Sequence, residues 1–77
     1  MGNFRPLDTK CWEKFLVLHG FKYEHTKGSH DKWKKKGCRP LPVWGNSKQI
    51  PALHLRNGCE IIGCTLSDLY TWADNNC

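Results

Sequence analysis

His30 is the residue of this chain best placed to do chemistry. It follows the turn Lys27-Gly28-Ser29 and opens the stretch His30-Asp31-Lys32-Trp33-Lys34-Lys35-Lys36, where cations surround one aromatic. An imidazole can exchange a proton near neutral pH, and one such positioned group commonly contributes ~100- to 10,000-fold to a rate. Ammonium groups beside it hold a phosphate and stabilise the charge that grows as its ester breaks. RNA suits this combination because it carries its own nucleophile, the 2′-OH. Cleavage then needs a base for that proton, a donor for the departing 5′-oxygen, and cations around the phosphorane. Lysines select no base, so their binding tolerates any sequence. The scheme requires no metal, and the seven acidic residues are too dispersed for a two-metal centre.

Positioning His30 is the task of a hairpin. Phe21, Tyr23 and His25 alternate with Lys22, Glu24 and Thr26, the period-two pattern of a strand with one buried side, and His30 to Lys35 forms its partner. A two-residue Gly28-Ser29 loop would pair Glu24 with Trp33 and mix aromatic and charged residues on both faces. A three-residue Lys27-Gly28-Ser29 loop instead pairs Tyr23 with Trp33, Glu24 with Lys32 and Thr26 with His30, and parity favours it. In that register His30 shares an outer face with Lys22, Lys32 and Lys34. Phe21, Tyr23 and Trp33 face the core, as does His25, which is then structural.

The remaining elements follow from spacing. Leu7 to His19 reads as a helix capped by Asp8 or Thr9, with Trp12, Phe15, Leu16 and His19 on one side and Gly20 as the stop. His19 is a packing or surface residue. Arg39 to Trp44 reads as a third strand, and Pro40 and Pro42, two apart, place their missing N–H groups on one edge and so make it an edge strand. Residues 45–48 are loop by composition. Pro51 suits a helix start, with Ala52, Leu55, Cys59 and Ile62 repeating through Gly63; Gly58 weakens that reading, and a strand at Ile50 to Leu55 competes. Thr65 and Asp68 resemble a capping box before Leu66, Leu69, Tyr70 and Trp72. The fold class is α+β: a single small domain over residues 1–77 with a helix, a three-stranded antiparallel sheet and one or two C-terminal helices.

Composition bounds the partners. Twelve Lys and Arg against seven Asp and Glu give +5, with a pI near 9.1, which favours a polyanion. Five cysteines are an odd number, and no leading apolar run resembles a signal peptide, so reduced thiols in a cytoplasmic protein are expected. Cys59-x4-Cys64 matches a zinc site poorly. No run approaches the ~20 apolar residues of a membrane span, and Met1-Gly2 begins like a myristoylation site but has Pro6 where Ser or Thr is wanted.

Several motifs recur together in one known family. The helix ending His19-Gly20-Phe21, then Lys27-Gly28-Ser29-His30 with Trp33, then Arg39-Pro40-Leu41-Pro42-Val43, Ile50-Pro51-Ala52-Leu53-His54-Leu55-Arg56 and Ile61-Ile62-Gly63 resemble the HicA toxins of toxin-antitoxin pairs. The resemblance covers about residues 9–72. It implies a fold like the double-stranded RNA-binding domain, endoribonuclease activity on mRNA, and a HicB-type antitoxin covering the site. It carries the catalytic role to His30, with Gly28 and Ser29 shaping the turn that presents it. Asp31 and Lys32 are less apolar than that family often shows, and the cysteine-rich tail departs from it. No cofactor is implied.

The candidate RNA-binding residues are Lys22, Lys27, Lys32, Lys34, Lys35 and Lys36, and His54 is a candidate assisting residue that packing alone also explains. Trp44 and Trp72 read as core or interface aromatics. Two other readings compete: a non-catalytic module that binds duplex RNA on the same basic face, and a redox or metal protein built on the cysteines.

Overall fold

Trp12, Phe15 and Leu16 repeat at helical spacing, and burial selects those three, each 2% exposed or less. In the computed structural model, which describes residues 4–77, they line helix α1, Thr9–Leu18. His19 caps its end with its ring 4.5 Å from that of Phe15, and Gly20 adopts a φ of 86°, the left-handed turn that returns the chain. The expected helix start at Leu7 is corrected. Leu7–Asp8 is a short strand, β1, paired antiparallel with Gln49–Ile50, which is β5 in chain order. Leu7 and Ile50 bury their side chains across that pair, and the Thr9 hydroxyl donates to the Ser47 carbonyl at 2.6 Å. Residues 45–48 thus connect to the helix start, although they read only as loop in sequence. The Met1-Gly2 start lies outside the described residues.

Strands β2 (Lys22–Lys27), β3 (His30–Lys34) and β4 (Leu41–Val43) form an antiparallel sheet in that order; β4 is shorter than the expected Arg39 to Trp44 and holds Pro42 but not Pro40, and it lies on an edge as expected. Tyr23 pairs with Trp33 as expected, but the expected pairs Glu24–Lys32 and Thr26–His30 do not form. Lys27 pairs with His30, Thr26 with Asp31 and His25 with Lys32, and a bulge between Tyr23 and His25 absorbs the extra residue. The loop is therefore Gly28-Ser29. Gly28 has a φ of 64°, the positive value a two-residue hairpin needs at its first turn position.

The bulge also changes which side chains share a face. Tyr23 and Thr26, three apart, now meet through their hydroxyls at 2.6 Å, and Thr26 donates to Asp31 at 2.7 Å. His25 moves to the face of Lys32 and lies exposed, 3.2 Å from Glu24 Oε1, so its expected core position is corrected. Tyr23 keeps the side of Trp33, edge-on at 6.1 Å, yet is 52% exposed because β2 lies on the open edge of the sheet. Trp33 itself is buried, joining Phe21, Leu41 and Val43 in one core with α1.

Helix α2 runs Ala52–Ile62, with Pro51 at its N-cap and Gly63 left-handed at its end. The strand alternative for residues 50–55 survives only at Ile50. Gly58 interrupts no turn of α2: it is buried against the indole of Trp12, close to Leu41. Helix α3, Leu66–Asn76, begins with a complete capping box between Thr65 and Asp68 and buries Leu69, Tyr70 and Ala73. The Tyr70 hydroxyl donates to the Arg5 carbonyl at 2.7 Å and fixes the N-terminal segment to α3.

A disulfide between Cys11 and Cys77 ties α1 to the chain end, correcting the expectation that all five cysteines are reduced. The two residues converge because α3 brings the tail back to the start of α1. Cys38, Cys59 and Cys64 are free thiols. Burial raises the Cys59 thiol far above the ordinary range, and Cys64 is raised by the same cause. No helix among the described residues is long and apolar enough to cross a membrane.

Candidate functional site

The alternation of β3 sends Trp33 into the core and leaves His30 and Lys32 on the opposite face. His30, at the first position of the strand, is half-buried. Beyond the last ladder pair, Asp31 with Val43, the chains bring Trp44 beside it. The two rings meet edge to face, 4.6 Å between centroids at 82°. Trp44 meets a second imidazole, that of His54 in the first turns of α2, at 4.2 Å. The two imidazoles therefore cannot be farther apart than the sum of those separations, with the indole touching both. His54, a candidate assisting residue whose presence packing alone also explains, thus lies on the same indole as His30. Trp44 is the residue the sequence reading undervalued; its parity, out of phase with buried Leu41 and Val43, was the available signal.

Beside Trp44 lies an open groove of about 280 Å³ between β4 and α2, bounded by Pro42, Trp44, His54, Asn57 and Gly58 among others. Asn57 sits three residues after His54 and so on nearly the same side of the helix. Nothing in the sequence reading singled it out.

The lysines divide into two groups. Lys27, paired with His30, and Lys32, two residues along its strand, share its neighbourhood. Lys22 and Lys34 pair with each other at the far end of the hairpin, and Lys34 is engaged by Glu24, Nζ to Oε1 at 3.0 Å. That bond, ahead of the charges of Lys34 and His25, holds the Glu24 carboxyl below its usual range. Lys35 and Lys36 lie past the strand's end at Lys34, which is itself about 13 Å along the strand from His30. The expectation that they cluster beside His30 is corrected: the Lys35 stem instead lies over Gly20.

Asp31 does not orient His30, although it is next in sequence. Its carboxylate is on the other face, accepting from Thr26 and lying against Gly45. There it also neighbours Glu13, whose carboxyl is raised by burial first and by the Asp31 charge second. Gly28 and Ser29 form the turn just before His30, as expected, and both are exposed.

Comparison of the chain with protein-family models, curated proteins and solved structures returns no match.

Proposed function

We propose that the chain is a small endoribonuclease that cleaves mRNA by metal-independent acid–base chemistry centred on His30. The observation that carries this reading is the meeting of His30 and His54 on one tryptophan, with Lys27 and Lys32 beside His30. Cleavage through the 2′-OH needs two proton transfers, one from the nucleophile and one to the leaving 5′-oxygen. One imidazole can perform both in turn, or two can divide them. Lys27 and Lys32 supply the charge that holds the phosphate and stabilises the phosphorane. The motif resemblance extends the proposal to a HicA-type toxin that acts in the cytoplasm and is neutralised by a HicB-type antitoxin. In a reducing cytoplasm Cys11 and Cys77 would stand as thiols, and the disulfide would be their oxidised form.

The decisive experiment replaces His30 by Ala and follows RNA cleavage and growth arrest. Loss of both in a folded variant supports the mechanism; survival of both rejects it. A second reading, a non-catalytic module binding duplex RNA, is favoured by one observation: Asp31 turns away from His30, so that carboxylate does not set the imidazole's orientation. On that reading incubated RNA stays intact on a gel, while binding remains salt-sensitive.

A further inference from the structure

The ribonuclease reading leaves unexplained why a tryptophan and an amide should flank the histidines. From the groove between β4 and α2 we infer a slot for one unstacked nucleobase of single-stranded RNA, with Trp44 as the stacking wall and Asn57 as the polar group meeting the base edge. This inference rests on the ribonuclease reading and specifies its substrate.

Three observations support it together. Trp44 is half-buried, so part of its indole stays accessible while its contacts with His30 and His54 fix it in place. The groove, at about 280 Å³, is slightly below the ~300–1,000 Å³ that encloses drug-sized ligands, a size suited to one flat heterocycle. Its walls are mixed in character: Pro42 and Gly58 are apolar, whereas His54 and exposed Asn57 offer donors and acceptors. Proteins that read single-stranded RNA splay a base out, stack it on an aromatic ring and hydrogen-bond its edge. Lys27 and Lys32, beside His30, provide the complementary charge for the phosphate attached to such a base. Trp44 is then a positioning residue. Holding the base beside His54 would bring the neighbouring phosphodiester toward His30, and a duplex, whose bases stay paired, could not be held in this way.

The test uses the full chain and short single-stranded 2′-O-methyl RNA, which lacks the nucleophile, with one abasic nucleotide moved along the strand. Fluorescence anisotropy reads the affinity. Removing the seated base should weaken binding roughly 5- to 150-fold at one position, the range for a base stacked on an aromatic. Trp44→Ala should erase that positional difference, and Trp44→Phe should restore part of it. If Trp44→Ala fails to fold, the scan on the unaltered protein, with Asn57→Ala as the second variant, still decides. A flat scan, or preference for duplex over single strand, overturns the slot even when RNA is cleaved. If unmodified RNA is neither bound nor cut, the ribonuclease reading falls and the slot with it.

Discussion

Gly58 lies against the indole of Trp12 so closely that a Cβ built there would come within 2.8 Å of Cη2 and nearer still to Cζ2. Trp12 is 1% exposed and has no room to withdraw. In an ordinary helix interior, Gly→Ala gains about 1 kcal/mol. Here Gly58→Ala meets an overpacking cost of about 1–3 kcal/mol, so the expected outcome is a net loss of stability. A thermal melt of the variant checks the sign, and a raised Tm would show that the helix-to-Trp12 packing is misplaced.

Because Glu24 occupies Lys34, the two lysines Lys32 and Lys34 should differ in use although both lie on the outer face. Lys32→Ala should flatten the dependence of log K on log salt by roughly 0.7 for one lost phosphate contact on a single strand. Lys34→Ala should change it less. Glu24→Gln, by releasing Lys34, should tighten RNA binding and steepen the dependence. Titrations at several salt concentrations measure all three.

Glu13 predicts a pH effect of definite sign. Its carboxyl is raised above the ordinary 4.5 by burial and by Asp31. A group raised on folding contributes stability that is full below its unfolded value and is lost as pH rises through the folded value. Glu13→Gln removes that loss. The variant should exceed the parent above the raised value, with the gap closing in acid. Urea unfolding at acid and neutral pH tests this.

The Cys11–Cys77 bond spans 66 residues. Restricting the unfolded chain over that length stabilises by about 4 kcal/mol on chain-entropy grounds. Cys77→Ser, or a reductant, should therefore lower the urea midpoint markedly. A midpoint unaffected by either change would show that the tail is not cross-linked in solution.

The sequence revealed those parts of the fold that local spacing controls. The core side of α1, the pairing of Tyr23 with Trp33, the edge position of the proline strand and the capping box at Thr65 all depend on neighbours a few residues away. Parity counted from the hairpin turn failed for His25 because a bulge adds a residue without a sign in composition. Gly58 argued against a helix by propensity, whereas the reason for glycine is the distant Trp12. Of the candidate site, His30 was singled out by its turn and its lysines, whereas the meeting of Trp44 with His54 was not, because it exists only where α2 approaches β4. Cys11 and Cys77 likewise carry no spacing signal, since α3 determines their encounter.

The irregularity in β2 bears finally on how copies of this chain behave when crowded. A six-residue strand on an open sheet edge is a template on which another chain can add a strand. The extra residue between Tyr23 and His25 interrupts the regular row of donors and acceptors, and Lys22 and Lys27 place charge at both ends. The same local distortion that moves His25 across the sheet thus makes its free border a poor nucleus for aggregation.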